Sequence, residues 1–224
     1  VVNAQQGISV AEGARVLAAA TANGRGGQVE LATRRGTITL SPGSVVDVSG
    51  VDEKGAAVAG GRVRLTTAQT PIGEPILGSP VSLGARIDGA RRIEWEQLKQ
   101  YDVSASGVVD DTLVGAIQAD VAALMNSATA LKAQVGMADV DAFHVIPSVE
   151  VISNGDLRVA VTSSAADGRP QWNLASWRAG NEVGRLTLRA ARNLTLEASL
   201  SDGFAVQPVV PISPELPTEK ERLL

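Results

Sequence analysis

Residues 26–65, GGQVELATRRGTITLSPGSVVDVSGVDEKGAAVAGGRVRL, contain a repeated pattern that decides the fold. Triplets of apolar, polar and apolar residues begin at Val29, Val46 and Val63, 17 positions apart (46 − 29 and 63 − 46), and a fourth begins at Val81. Alternation with a period of two is typical of a β-strand with one buried face. The stretch therefore predicts short strands separated by glycine-rich turns.

Short strands at a fixed interval are typical of a β-solenoid, in which each coil buries its inner residues against the next. We predict such coils over 1–90, with a further strand at 37–40. If one coil has 17 residues, Arg64 lies above Asp47, where an exposed pair between them would contribute only about 0–1 kcal/mol. An ordinary antiparallel sheet with regular hairpins is the alternative. The solenoid predicts two inward columns and one outward column, namely Val29, Val46 and Val63; Leu31, Val48 and Leu65; and Glu30, Asp47 and Arg64.

The pattern changes over 91–140, for which we predict an α-helical insertion. Residues 91–101 and 108–136 are rich in Ala, Leu, Gln, Glu and Lys, which favour helices. One of the two aspartates at 110–111 is the expected N-cap, and Gly136 is the expected stop. We expect the helix to pack on the side or end of the solenoid, and a partner-binding helix is the alternative. The predicted apolar face consists of Val109, Leu113, Ile117, Val121 and Leu124.

Strands return over 141–204, with a polar loop predicted at 163–183. The triplet Leu-Thr-Leu begins at Leu186 and again at Leu194, eight positions later. Because eight is about half of 17, we expect these triplets on successive faces of one coil, with leucines inward and threonines outward. Residues 205–224 contain four prolines and predict an extended or disordered linker.

The composition limits the classes of function. The chain has 224 residues, a net charge of −4, no cysteine and 3% aromatic residues. Without cysteine there is neither a disulfide framework nor a thiolate metal site. The mild acidity gives no electrostatic signature of nucleic-acid binding, and no apolar run is long enough to span a bilayer. Since neither an initiator methionine nor a signal peptide opens the chain, we expect an internal or C-terminal part of a longer protein.

Residues that support catalysis are scarce. His144 is the single histidine, and without a second histidine or a cysteine it is expected to be structural. The glycine-rich stretch 23–27 leads into a strand, whereas phosphate loops open a helix. At the outer positions of the best-defined coils, Glu30 and Asp47 are the acidic residues, which is insufficient for a glycosidase. We therefore predict no enzyme activity and no catalytic, cofactor-binding or metal-binding residue.

Three other features favour structural roles. Asp47, Asp52 and Glu53 can meet near one turn but lack the spacing of a calcium-binding repeat. Trp172 and Trp177 are candidates for stacking on a sugar, but they form no larger aromatic platform. A glycosylation sequon begins at residue 193 inside a repeated strand, where we interpret it as coincidental. These features point to no ligand.

Two stretches resemble a known family. Residues 43–65 (GSVVDVSG…GGRVRL) and 184–204 (GRLTLRAARNLTLEASLSDGF), the latter preceded by WNLASWRAGNEV, are similar to the filamentous haemagglutinin-like proteins of Gram-negative bacteria. The resemblance is strongest over 145–204 and extends to 24–90. It implies a right-handed parallel β-helix, export through an outer-membrane pore by two-partner secretion, and an extracellular fibre. Such fibres act in adhesion or carry a contact-dependent toxin, and the resemblance implies no ligand-binding residue.

The sequence thus predicts a mainly β chain, a right-handed parallel β-helix with an α-helical insertion. The expected function is that of a structural segment in a secreted, surface-associated adhesin. Its expected partners are the secretion pore and a glycan or protein receptor on a host or bacterial surface, without nucleic acid. The stalk of a contact-dependent toxin and a polysaccharide-acting β-helix enzyme are the alternatives.

Overall fold

The computed structural model describes residues 1–69, 81–164, 168, 170–177 and 182–202. Over these residues the protein is mainly β, with parallel sheets and two α-helices, which confirms the prediction of a mainly β chain. The linker predicted at 205–224 lies outside the described residues. The helices are α1 (Asp111–Asn126) and α2 (Ala128–Gln134), and Ala175–Trp177 form a 3₁₀ turn. In chain order the strands are β1 (Val2–Ala4), β2 (Gly7–Val10), β3 (Arg15–Leu17), β4 (Gln28–Thr33), β5 (Thr37–Leu40), β6 (Val45–Asp47), β7 (Gly50–Val51), β8 (Ala57–Val58), β9 (Gly61–Ala68), β10 (Val81–Leu83), β11 (Arg86–Asp88), β12 (Ala90–Asp102), β13 (Val108–Val109), β14 (Phe143–Ser153), β15 (Leu157–Val159), β16 (Gln171–Asn173), β17 (Arg185–Ala190), β18 (Leu194–Leu196) and β19 (Ser199–Ser201).

A six-stranded sheet collects strands from both ends of the described chain. Its order is β1-β4-β9-β12-β14-β17, so its strands are arranged in chain order, and each neighbouring pair is parallel. Parallel neighbours need a long crossover connection because the chain must return to the same end of the sheet. We call the chain between two residues paired on neighbouring strands of this sheet a circuit.

The circuits contain the strands of the smaller sheets, which keep the same order. One sheet is β2-β5-β10 and another is β3-β6-β11, whereas later circuits form β13-β15-β18 and β16-β19. All of these pairs are parallel, and β7 with β8 is the antiparallel pair among the described strands. The alternative of a regular antiparallel sheet is therefore wrong.

The stacking differs from the predicted 17-residue columns. Val29 lies opposite Val63, 34 positions later (63 − 29), on neighbouring strands β4 and β9. Val46 lies on β6, in a different sheet, between Val16 and Ile87. The predicted columns are wrong at their middle member because one circuit holds several strands. The 17-residue interval is half of the 34 positions between Val29 and its partner Val63.

Residues 91–101 form strand β12 and not the predicted helix. Their inward residues Ile93, Trp95 and Gln97 are buried and alternate with charged residues on the outer face. β12 pairs with β9 on one side and with β14 on the other. Because helix propensity is a weak prior, hydrogen bonding along both edges overrides the helix-favouring Glu, Gln and Lys.

The second helical prediction is confirmed, for 111–134. Asp110 is the N-cap, and its side chain accepts a hydrogen bond from the Leu113 N–H at 2.9 Å. Between β13 and β14 the two helices occupy the part of the circuit that holds the third strand in earlier circuits. The buried face of α1 joins the core that contains Val149 and Trp172, and it consists of Val114, Ile117, Val121 and Leu124.

The predicted loop at 163–183 contains ordered structure. Residues 171–177 form β16 and the 3₁₀ turn, and their Trp172 and Trp177 side chains are fully buried. The two rings meet edge to face with centroids 6.1 Å apart. Aromatic pairs in this geometry add to the stability that burial provides. Residues 165–167, 169 and 178–181 lie outside the described residues.

The doubled Leu-Thr-Leu triplet lies at one end of the stack. As predicted, the two triplets lie on different faces, in β17 and β18. Leu194 and Leu196 pair with buried Leu157 and Val159, yet they are 46% and 52% exposed. The register puts them on the same side as those buried residues, which agrees with the predicted inward direction. They are exposed because, in the part of the chain that the structure describes, no strand covers the other edge of β18.

Close backbone approach fixes the turn before β5. A Cβ atom on Gly36 would lie 1.0 Å from the backbone oxygen of Gln6 in the adjacent circuit. We expect Gly36→Ala to lower the free energy of unfolding by about 1–3 kcal/mol, because the two backbones must move apart. Gly115, inside α1, has nothing within 4 Å of such an atom. Gly115→Ala should therefore raise the free energy of unfolding by about 0.5–1 kcal/mol, and equal effects of the two changes in urea would contradict the packing.

Candidate functional site

The outer side of the six-stranded sheet carries an ionic network. The register places Glu30, Arg64, Glu94 and His144 directly opposite one another on β4, β9, β12 and β14. Opposite charges on neighbouring strands stabilise a sheet. We call this surface the charged face, and its members are Glu30, Arg34, Arg64, Arg92, Glu94, Glu96, His144, Glu150, Glu182, Arg185 and Arg189.

Glu94 is the centre of this network. It is 4% exposed, and three guanidinium groups surround its carboxylate. Nε of Arg92 and Nη2 of Arg185 each lie 2.7 Å from it, and Nε of Arg64 lies 3.4 Å away. Burial alone would raise the pKa of Glu94, but the hydrogen bond from Arg92 and the charge of Arg185 outweigh it and lower the pKa. The folded protein therefore favours the ionised carboxylate.

The pKa of Glu96, two residues further along β12, is shifted in the opposite direction. Its Oε1 lies 3.0 Å from Nε of Arg64 and 2.8 Å from Nε of Arg185, but neither N–H is directed well enough to hydrogen-bond. Its Oε2 accepts a hydrogen bond from the hydroxyl of Thr66 at 3.3 Å. Burial raises the pKa of Glu96, and the charges of Arg185 and Arg64 offset this only partly.

Glu150, on β14, holds a second group of partners. Arg189 and Gln100 donate to it at 2.9 and 2.7 Å, and Arg34 lies at 3.2 Å. Burial opposes ionisation, but the hydrogen bonds from Arg189 and Gln100 outweigh it and lower the pKa of Glu150. Arg34 follows β4 and is 116 positions away in sequence, so this contact joins distant circuits.

His144 belongs to the same network. Its Nδ1 contacts the carboxylate of Glu182, whose other oxygen accepts a hydrogen bond from Arg92 at 2.5 Å. His144 lies on β14, as its strand-like surroundings predicted, and its partners here are protein groups. No group of three or more histidine, aspartate or glutamate residues in the described ranges is arranged to hold a metal ion.

A groove of about 470 Å³ opens beside Glu96 and Glu150. Its walls come from β1, β4, β9, β12, β14 and β17, so the groove crosses the whole sheet. Two carboxyl groups with opposite pKa shifts in one groove are the kind of pair that glycoside hydrolysis uses. Each of them is also engaged by two arginines, which favours a structural role. The polar walls include Asn3, Gln5, Arg34, Thr66, Ser148 and Thr187.

The opposite pKa shifts predict opposite pH dependences. The lowered pKa of Glu150 gives stability that is present above its ordinary value of 4.5 and is lost as pH falls through the folded pKa. We therefore expect Glu150→Gln to destabilise the protein most near neutral pH, and the difference from wild type to shrink in acid. Urea unfolding of both proteins between about pH 3 and 8 measures this difference.

Glu96→Gln is the control of opposite sign. The raised pKa of Glu96 gives stability that is present below 4.5 and is lost as pH rises through the folded pKa. The free energy of unfolding of the variant, relative to that of wild type, should therefore increase as pH rises. A Glu150→Gln difference that grows towards acid pH would contradict the assignment.

Arg64 and Asp47, which the sequence predicts in one outward column, lie in different sheets. Arg64 pairs with Glu30 at 2.6 Å and with Glu94 and Glu96, so the predicted stacking of Arg64 above Asp47 is wrong. Asp47 lies in another sheet and accepts a hydrogen bond from the Ser49 N–H at 3.0 Å. The cause is the length of the circuit, which brings β4 and not β6 beside β9.

The remaining candidates have structural environments. Asp52 accepts hydrogen bonds from the Lys54 and Ala56 N–H groups and so shapes its own turn. Asn193 donates its side-chain amide to Asp156 at 3.0 Å. The burial of Trp172 and Trp177 excludes them as a surface for sugar stacking.

Sequence reasoning missed the buried glutamates Glu94, Glu96 and Glu150. Glu94 and Glu96 were missed because 91–101 predicted a helix, and a helix there would not pair with the strand that contains Arg64. The signal that could have identified Glu94 and Glu96 is the alternation of polar and apolar residues over 92–96, which has the period of a strand.

Comparisons with protein-family models, with curated proteins and with solved structures give no match. Among the described residues, neither helix has the length and apolar character needed to cross a bilayer.

Proposed function

We propose that this chain is a segment of a right-handed parallel β-helix in a secreted filamentous haemagglutinin-like protein, and that it acts in attachment to cell surfaces. The observation that carries the proposal is the strand order. The six-stranded sheet follows the chain order, and smaller parallel sheets repeat that order beside it. This pattern is the one that stacked coils of a solenoid produce.

Other features of the chain support the same proposal. In a solenoid each repeat contacts its neighbours only, so the chain can fold coil by coil after passing a pore unfolded. The absence of cysteine suits such a route because no disulfide has to form. Exposed Val2 and Leu17 on the first strands, and Leu194 and Leu196 on β18, are suited to packing against a further coil.

Engineered disulfides test the solenoid part of the proposal. Thr39 and Ser82 are paired on neighbouring parallel strands, and such Cα atoms are separated by a distance that a disulfide can bridge, about 5 Å. The double variant Thr39→Cys, Ser82→Cys should form the bond on mild oxidation. The control is Asp47→Cys with Arg64→Cys, 17 positions apart and in different sheets, which should stay reduced. The reverse result would overturn the coil assignment.

Adhesion is tested with microspheres coated with the purified chain. We expect more spheres to attach to epithelial or bacterial cell layers under flow than spheres coated with the unfolded variant Val46→Asp. Equal attachment by the two coatings would contradict a role for the folded surface in adhesion. Absence of attachment by the folded chain would instead favour the stalk of a contact-dependent toxin, which needs rigidity but no receptor.

One observation favours a second candidate, a polysaccharide-acting enzyme. Glu96 and Glu150 line the same groove, and the pKa of Glu96 is raised whereas that of Glu150 is lowered. Release of reducing sugar from a panel of polysaccharides, abolished by both Glu96→Gln and Glu150→Gln, would support it. Equal release by wild type and both variants would exclude these two glutamates.

A further inference from the structure

Three arginines meet in one concavity at the start of β9 and β12. Arg62, Arg91 and Arg92 line a space of about 410 Å³. Its volume is in the range of sites for small molecules. The floor includes the glycine backbone of Gly26, Gly27 and Gly61.

A β-bulge brings the arginines together. Arg92 lies opposite Arg62, and the register of β12 on β9 shifts between Ala90 and Arg92, so Arg91 is the extra residue. In a regular strand Arg91 and Arg92 would point to opposite faces. Bulges redirect side chains and are frequent beside functional sites. Here the bulge lets two consecutive arginines face one space.

Arg91 is the arginine of this concavity whose charge is not compensated by a carboxylate in the described ranges. Arg92 pairs with Glu94 and Glu182. Arg62 has no carboxylate within ion-pairing distance in those ranges, but its charge helps to lower the pKa of Glu94, whereas Arg91 is exposed and makes no ion pair there. The other arginines of the charged face each pair with at least one glutamate. Like charges directly opposite one another on neighbouring strands are unfavourable, and Glu94 relieves this repulsion for Arg62 and Arg92 only. An anion beside Arg91 would compensate the remaining charge.

The floor of the concavity is closely packed against the neighbouring backbone. A Cβ atom on Gly61 would lie 2.3 Å from the backbone oxygen of Val48, and one on Gly27 would lie 2.8 Å from that of Ala18. These positions are therefore restricted to glycine by packing. Apart from glycines, the residues that line the concavity are Gln28, Arg62, Arg91 and Arg92.

We propose that this concavity binds a small ligand through a sulfate or phosphate ester group. A guanidinium group offers two parallel N–H donors that match two oxygens of such an anion. Arg62 and Arg91 supply the free donors, and Arg92 holds the rim through its glutamate partners. The site is independent of the proposed role in adhesion, since it requires only the bulge and the arginines that line the concavity.

Titrations at constant ionic strength test the site. Galactose 6-sulfate, galactose 6-phosphate and galactose are titrated by calorimetry, with sodium chloride keeping the ionic strength fixed. We expect one or both esters to bind and galactose not to bind. The ester that binds more tightly shows whether the site prefers a sulfate or a phosphate group. Absence of binding by both esters at about 10 mM would overturn the proposal.

Variants locate the binding. Arg91→Gln changes an exposed side chain and should weaken ester binding, and Arg62→Gln with Arg91→Gln should weaken it by about tenfold or more. Arg35→Gln is the matched control, since Arg35 is exposed and lies outside the concavity. Its affinity should stay within about twofold of wild type. Equal weakening by Arg35→Gln and Arg91→Gln would show nonspecific attraction and contradict the site, whereas an unchanged urea midpoint confirms that each variant is folded.

Discussion

Val46→Asp is expected to lower the free energy of unfolding by about 4 kcal/mol or more, enough to unfold much of the protein at room temperature. Val46 is fully buried on the middle strand of the sheet β3-β6-β11, between Val16 and Ile87. The change removes an apolar side chain from the core and places a carboxylate between the apolar side chains of Val16 and Ile87. Urea unfolding followed by circular dichroism measures the loss.

Val58→Asp is the matched control. Val58 lies on β8 and is 41% exposed, so a carboxylate there remains in contact with water. We expect its effect to stay within about 0.5 kcal/mol. Similar losses for the two variants, or a small loss for Val46→Asp, would mean that β6 does not face the core.

Glu94→Gln is expected to lower the free energy of unfolding by about 3–5 kcal/mol. The change keeps the shape of the side chain but removes the negative charge that Arg64, Arg92 and Arg185 share. Breaking a buried ion pair from one side is costly because the remaining charges stay desolvated and repel one another. Urea midpoints of the two proteins near neutral pH measure the effect.

Glu197→Gln provides the comparison for an exposed pair. Glu197 pairs with Arg158 at 3.0 Å, and about half of each side chain is exposed to solvent, 46% and 50%. Glu197→Gln should therefore lower the free energy of unfolding by at most about 1 kcal/mol. If Glu94→Gln costs no more than Glu197→Gln, the charged face contributes little to stability.

The sequence predicts local structure well because alternation is a local property. The triplets at Val29, Val46, Val63 and Val81 all begin or lie in strands. Their stacking partners could not be predicted, because the partner of Val29 is set by how many strands one circuit holds. A 17-residue interval fits two geometries equally well, one coil or half of one.

The charged face could not be predicted for a related reason. Glu30, Arg64 and Glu94 come together through the register of three strands, and one of these strands has the composition of a helix. Pairing along both edges of β12 decides the structure there, and such pairing is invisible in a local window. Leu194 shows the converse case, since its inward pattern was visible but the strand needed to cover it is not among the described strands.

The repeating circuits also define how the protein responds to tension. Pulling on the two ends detaches an end strand first, so the stack should unwind one circuit at a time. Measured by paired residues, successive circuits have 29 (Val2 to Leu31), 34 (Val29 to Val63), 30 (Val63 to Ile93), 50 (Ile93 to Phe143) and 37 (Val149 to Leu186) positions. At about 3.5 Å of extended chain per residue, the shortest circuit releases about 100 Å and the helix-bearing circuit about 175 Å. The circuit that contains the helices should therefore appear in a force–extension record as one long step among shorter ones, which marks its position in the stack of circuits.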